Sequence, residues 1–189
     1  MVEFHYIDWT DYGKLVAELI ERIRSRGQTF DLIIGIARGG IPVAMVIADQ
    51  LGVQIDFINV KSYTGVATRG KPRIISTLTE DVKGKRVLVV DDLIDEGDTM
   101  STVLAYLKPR KPRSLSTAVL FKKPWSKHEP DYYLEVLDKW VVFPWEHAEV
   151  KRLAAQTAAE AKRGSAREAV RPPGGGGRTR TSRHCRRVV

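Results

Sequence analysis

An α/β fold with a mainly parallel, twisted sheet flanked by helices follows from three features of this 189-residue sequence. Apolar runs such as Phe30–Ile36 and Val87–Val90 do not alternate with polar residues, which is the pattern of strands buried on both faces. Segments with helical spacing stand between these runs, as crossovers between parallel strands require. Turn-forming residues at 37–40 and 91–98 follow two of the runs directly, so both strands end in a loop that opens a helix.

Each element has its own signal. Residues 10–26 read as an amphipathic helix, with Tyr12, Leu15, Val16, Leu19, Ile20 and Ile23 on one face, Thr10 as candidate N-cap and Gly27 as the stop. Phe30–Ile36 is a central strand, the turn Ala37-Arg38-Gly39-Gly40 follows, and Ile41–Leu51 forms a second helix. Gln54–Val60 is a strand, and Lys61–Arg73 is a polar, glycine-bearing excursion. Val87–Val90 is the next central strand, with a helix over Thr99–Leu107. Ser116–Phe121 reads as one more strand, Tyr132–Val136 as an edge strand and Trp140–Trp145 as an aromatic turn. No internal repeat is present. From Gly164 onward, Pro172-Pro173, four consecutive glycines and an Arg/Thr/Ser run cannot bury enough apolar surface to offset the entropy of ordering them. The expected division is a domain over 1–160 and a disordered basic tail over 161–189.

Charge follows the same division. The net charge is +8, and residues 161–189 alone hold nine Lys/Arg against one acid, Glu168. Residues 1–160 are therefore balanced, which argues against a nucleic-acid-binding body and leaves the tail carrying the whole excess. No apolar run approaches the roughly 18 residues needed to cross a bilayer. No secretory signal is visible, and with Cys185 as the single cysteine no intrachain disulfide can form. A cytoplasmic setting is expected. The histidines His5, His128, His147 and His184 show no spacing suited to zinc.

The most specific stretch is Arg86–Thr102. A buried strand runs straight into Asp91-Asp92, and Asp95, Glu96 and Asp98 complete five carboxylates within eight residues. Acids at the end of a buried strand are costly unless paired, which points to a divalent metal and the hydroxyls of a phosphorylated sugar. Ligands of open α/β sheets bind beyond the carboxyl ends of strands, and the helix that follows presents unpaired N–H groups suited to phosphate. Thr99, with Ser101 or Thr102, adds hydroxyl donors. The Gly-x-x-x-x-Gly-Lys-Ser/Thr phosphate loop is absent.

Val89–Thr99, Val-Val-Asp-Asp-Leu-Ile-Asp-x-Gly-x-Thr, resembles the phosphoribosyl-pyrophosphate signature of the type I phosphoribosyltransferases. Three further segments extend the resemblance in order over residues 28–147. Ile34–Gly40 is similar to the family's pyrophosphate loop, and Lys61-Ser62-Tyr63 onward to Arg69 is similar to its flexible catalytic loop. Phe121-Lys122-Lys123-Pro124 and Trp140–Glu146 are similar to the purine-recognising parts of the 6-oxopurine branch, the xanthine–guanine and archaeal-type hypoxanthine–guanine enzymes. The fold implied is that family's sheet with a small base-recognition hood.

The resemblance implies transfer of 5-phosphoribosyl from phosphoribosyl pyrophosphate to hypoxanthine, guanine or xanthine, with Mg²⁺ as cofactor. Asp91 and Asp92 would hold the ribose hydroxyls, directly or through Mg²⁺. Asp95 would handle the purine N7 proton, and Glu96, Gly97, Asp98 and Thr99 would surround the 5-phosphate. Glu96 stands where the family commonly has a hydroxyl residue, and Asp98 adds a second acid beside a phosphate dianion. Arg38 and Gly39 would take pyrophosphate, at a loop where family members hold a non-proline cis peptide. Ser62, Tyr63 and Arg69 would close over the reacting centre. Lys123 would donate to purine O6, though adjacent Lys122 carries the same charge; Trp140 would stack on the ring, and the Val141 carbonyl and Glu146 would face its N1–C2 edge. Family members form homodimers or homotetramers, and no membrane partner is implied.

Plainer roles exist for each residue taken singly. Asp95 suits a helix N-terminus, Arg38 a solvated turn, Arg69 a surface loop, Lys123 a solvated strand end, and Trp140 core packing. Trp125 and Trp145 read as packing residues. The competing function is a regulator that senses phosphoribosyl pyrophosphate and binds nucleic acid, for which the basic tail would be the contact. A transferase for adenine, orotate or uracil is disfavoured because a lysine donor at O6 mismatches an amino group.

Overall fold

The computed structural model describes residues 3–65, 68–153 and 155–156, with 62–69 described by their backbone alone where they are described. Two compact units are present, Met1–Pro144 and Trp145–Val189. The expected tail, 161–189, lies outside the described residues. In the second unit the described part is a helix over 147–153, at whose start the Val150 N–H donates to the Glu146 carbonyl at 2.9 Å.

The first unit runs β1 (Phe4–Tyr6), α1 (Trp9–Ser25), β2 (Leu32–Ala37), α2 (Gly40–Leu51), β3 (Gln54–Gly65), β4 (Thr68–Ile74), β5 (Arg86–Val90), β6 (Leu93–Ile94), α3 (Asp98–Leu107), β7 (Ser114–Ala118), β8 (Phe121–Lys122), β9 (Glu135–Val136) and β10 (Trp140–Val142). The main sheet has the order β4-β3-β2-β5-β7, parallel throughout except for β4. Both faces of its centre are buried, as the unbroken apolar runs require. Leu32, Ile34, Ile36, Val87 and Val89 join Met100, Val103 and Leu107 of α3 in one aliphatic cluster. On the other face Gly35 lets α2 close in: a Cβ there would lie 2.8 Å from the Ala44 Cβ. Two small parallel sheets, β6-β8-β9 and β1-β10, complete the unit. Among the described residues no helix is long and apolar enough to cross a membrane.

Several expectations are corrected. Helix α1 starts at Trp9, and its cap is Asp8, not Thr10: Asp8 Oδ1 accepts the Asp11 N–H at 2.8 Å. Thr10 already lies inside the first turn. The polar segment after Val60 is not an excursion but an antiparallel ribbon, with Val60 opposite Ile74 and Lys61 opposite Arg73. Its sequence is polar and glycine-bearing, with no run of alternating apolar residues to reveal it. The expected strand Ser116–Phe121 breaks after Ala118. Val119 turns to bond Tyr132, Leu120 bonds Asp92, and the chain resumes as β8. Only Glu135–Val136 of the expected edge strand pairs, with Tyr132 making a single bridge to Ala118. The aromatic turn at Trp140 is strand β10, paired in parallel with β1, an element too short to show in the sequence.

Replacing the cap tests the start of α1. Asp8→Ala is expected to lower stability by about 1 kcal/mol, and Thr10→Ala by less than about 0.5 kcal/mol, in urea unfolding. A larger loss at Thr10 would reverse the assignment.

Candidate active site

The site is built where β2 and β5 end side by side. Their parallel register, with Gly35 beside Val90, delivers the 37–40 turn and the Asp91-Asp92 pair to one place. The Ala37–Arg38 peptide is cis, and Arg38 is exposed. Glycine is obligatory in this turn because acids lie against it. A Cβ on Gly39 would fall 2.0 Å from Asp92 Oδ2, and one on Gly40 would fall 2.5 Å from the Val90 carbonyl.

Asp91 is held by N–H groups: Asp92 donates to its Oδ1 at 3.0 Å and Gly40 also donates to its carboxylate. Burial, then the neighbouring Asp92 charge, push Asp91 well above the usual carboxylate range. Tyr12 of α1 senses the same charge, its hydroxyl raised first by burial and then by Asp92. The pair is thus a concentrated, partly desolvated negative centre.

The acidic turn beyond it forms one wall of a cleft of about 440 Å³. Asp91, Asp95, Glu96, Gly97, Asp98 and Thr99 line it, and Gly70, Lys71 and Pro72 of β4 form the opposing side. Gly97 caps α3 with φ +92°, and a Cβ there would lie 2.8 Å from the His128 Cβ. Both facts demand glycine. The helix starts immediately after, so its first N–H groups open on the turn.

Beside the turn, β6 and β8 pair in parallel with Ile94 opposite Lys122. The next residue of each strand, Asp95 and Lys123, therefore leaves the ladder next to the other, and the Lys123 N–H donates to the Ile94 carbonyl at 2.9 Å. Lys123 is 6% exposed, its Nζ donates to the Lys139 carbonyl, and burial lowers its pKa against the opposing pull of Asp95 and Asp138. Lys122 points elsewhere, pairing with Glu129. The two adjacent lysines that sequence alone leaves equivalent are thereby distinguished.

Trp140 is exposed and sits opposite Phe4 in the β1–β10 ladder, with Val141 buried next to it. Trp140 does not serve core packing. Neither does Trp125, which is 53% exposed, with its indole Nε1 donating to Asp95 Oδ1 at 2.8 Å. Glu146 falls in the second unit. Ser62, Tyr63 and Arg69 lie in the β3–β4 ribbon, where their side chains are outside the described structure. Sequence reasoning missed Trp125 and His128 as neighbours of the turn, because both come from an irregular segment with no periodicity. Lys71 was visible only as one of several cations in the polar stretch.

The Asp91-Asp92 pair is a two-carboxylate donor set. Among the described residues no three His, Cys, Asp or Glu side chains converge. Such a set fits Mg²⁺, which keeps waters and substrate oxygens in its shell, and does not fit a metal needing a full protein cage.

Comparison with known proteins agrees with this geometry. Residues 6–155 match the phosphoribosyl transferase domain. A hypoxanthine phosphoribosyltransferase of Salmonella typhimurium is 35% identical over 129 residues, covering 65% of this chain and 70% of the relative. A xanthine-guanine phosphoribosyltransferase of Idiomarina loihiensis is 27% identical, covering 75% of this chain and 86% of the relative. The crystal structure of a purine phosphoribosyltransferase from Pyrococcus horikoshii superposes with a TM-score of 0.69 at 35% identity, over 76% of this chain and 93% of that one. A domain match over most of the chain, on a sheet whose strand ends carry the acids and the glycine turn, makes the chain a member of the phosphoribosyltransferase family.

Proposed function

We propose that the chain salvages 6-oxopurines, transferring 5-phosphoribosyl from phosphoribosyl pyrophosphate to hypoxanthine, guanine or xanthine. The observation that carries this reading is the placement of Asp95 next to buried Lys123 beside the acidic turn. It joins a proton acceptor and an O6 donor to a sugar-phosphate cradle, a combination a donor sensor does not need.

The C1–O bond to pyrophosphate breaks and a bond from C1 to purine N9 forms, through an oxocarbenium-like sugar. The N7 proton passes to the Asp95 carboxylate, so pyrophosphate and the nucleoside 5′-monophosphate are the products. The α3 N-terminus, with Gly97, Asp98 and the Thr99 hydroxyl, holds the 5-phosphate through N–H groups. Arg38 and Gly39 bind the pyrophosphate, and Asp91 and Asp92 orient the ribose hydroxyls. Asp91 and Asp92 would hold a Mg²⁺ ion, which would supply charge neutralisation for the leaving group. Lys123, with three ammonium hydrogens, satisfies O6 while keeping the Lys139 carbonyl. Trp140 stacks on the base, and the Val141 carbonyl reads its edge. Ser62, Tyr63 and Arg69 of the ribbon close over the centre and exclude water, and Lys71 adds positive charge to that side of the cleft. A homodimer or homotetramer acting in the cytoplasm completes the reading.

A spectrophotometric assay with phosphoribosyl pyrophosphate, Mg²⁺ and single bases tests it. Turnover is expected with at least one 6-oxopurine and not with adenine, orotate or uracil. Turnover with adenine alone would remove the role of Lys123; tight donor binding without turnover on any base would favour a regulator. Lys123→Met is expected to raise the KM for the base about tenfold or more, the worth of a hydrogen bond from a charged donor. Lys122→Met loses the pair with Glu129 and the contact with the Tyr133 ring, neither of which involves Asp95 or Lys123, and should leave that KM within about twofold.

Glu96 places a carboxylate in the phosphate cradle, where like charge weakens donor binding. Glu96→Thr is therefore expected to lower the KM for phosphoribosyl pyrophosphate several-fold. An unchanged or higher KM would mean that the Glu96 side chain does not face the phosphate.

A further inference from the structure

Three alternate residues of one irregular segment bracket Asp95. The Lys123 N–H donates to the Ile94 carbonyl at 2.9 Å, and the Lys127 N–H donates to the Glu96 carbonyl at 3.1 Å. Midway between them the Trp125 indole Nε1 donates to Asp95 Oδ1 at 2.8 Å. The segment is shaped for this. Lys123-Pro124-Trp125-Ser126 is a turn closed by the Ser126 N–H on the Lys123 carbonyl at 3.1 Å, with proline at its second position. Proline presets the backbone at the second position of the turn that carries Trp125.

Burial does not explain this tryptophan. Its side chain is 53% exposed, while Lys123, two residues earlier, is 6% exposed and sits 5.7 Å from the centre of the indole ring. A phenylalanine would give the same apolar contact. What tryptophan alone adds among the apolar aromatics is one N–H, and that N–H meets a carboxylate.

We propose that Trp125 is a positioning residue for Asp95. This rests on the reading that Asp95 receives the purine N7 proton. A carboxylate has lone pairs on both oxygens, and a donor fixed on Oδ1 sets the plane of the group and presents Oδ2 to the proton. The gain lies in orientation at the reacting centre, so it affects the chemical step and not the binding of either substrate.

The test uses the full chain with phosphoribosyl pyrophosphate, Mg²⁺ and its preferred 6-oxopurine. Single-turnover rates are measured, because product release can mask chemistry in kcat. Trp125→Phe is expected to slow bond formation about tenfold, at the lower range for a hydrogen bond to a charged group, with both substrate KM values within about twofold. Asp95→Asn is expected to slow it by about 100-fold or more. The double variant Asp95→Asn/Trp125→Phe should be no slower than Asp95→Asn alone, since Trp125 acts through the carboxylate. Trp125→Phe at the parental rate, or a loss confined to the KM for the base, would overturn the role of Trp125 while a slow Asp95→Asn leaves the Asp95 reading standing. A full additional loss in the double variant would also overturn it. Asp95→Asn at the parental rate would remove the Asp95 reading and the proposal together.

Discussion

Everything at the carboxyl end of this sheet depends on two adjacent acids lying against a glycine turn. Asp91 and Asp92 follow a fully buried strand, so neither carboxylate is simply hydrated. The chain offsets part of that cost with N–H groups from Gly40 and Asp92, while burial and the neighbouring Asp92 charge still hold Asp91 above the usual carboxylate range. The contact that makes this possible is steric. Asp92 occupies the place a Cβ of residue 39 would fill, and the backbone of Val90 and Asp91 occupies that of residue 40. The acids and the turn define each other's positions, which brings the groups assigned to pyrophosphate within reach of those assigned to ribose.

The rest of the site hangs from the same strand end by short ladders. The Asp91 N–H bonds Ala118, and the Asp92 carbonyl accepts from Leu120 at 3.0 Å. These bonds carry the chain from the main sheet into β6 and β8, two residues each. Strands that short are not stable alone. They persist here because Leu134 and Leu137 also bond into the ladder, through the Leu120 and Lys122 carbonyls. The result is a register that distinguishes the two lysines: a shift of one residue would put Lys122 where buried Lys123 stands.

Long periodic elements were legible in the sequence. The helical stripe of Tyr12, Val16, Leu19, Ile20 and Ile23 is buried as read, and the runs at 32–37 and 86–90 form central strands. The acidic turn was legible for a chemical reason, since carboxylates directly after a buried strand need partners. The small sheets were not. β1 and β10 pair across most of the chain, and three-residue strands carry too little pattern to announce themselves. The choice between Lys122 and Lys123 also lay beyond sequence, because adjacent residues of a strand point to opposite faces and only the ladder tells which face is which. Trp125 was misread for a similar reason. Tryptophan in an apolar context suggests packing, and nothing local signals that its N–H is aimed at an acid 30 residues earlier.

Most of the large exposed rings lie away from the central sheet. Beneath the strand ends the core is almost wholly aliphatic: Leu32, Ile34, Val87, Val89, Val103 and Leu107. Aliphatic side chains on a parallel sheet pack densely and hold the strands in place. Of the large exposed rings, Phe4, Tyr6 and Trp140 belong to the small sheet β1–β10, Trp125 to the turn after β8 and Trp9 to the start of α1. Leaving such rings in water forgoes the stabilisation that burial would bring, roughly 25 cal/mol per Å² of apolar surface. A scaffold gains nothing from that arrangement, but a flat heterocycle that must enter and leave does. On the proposed reading the base supplies the missing burial at Trp140 only while bound, so the same contact that the free protein lacks becomes binding energy for the purine. Trp125 stays out of that exchange. On the same reading its N–H is committed to Asp95.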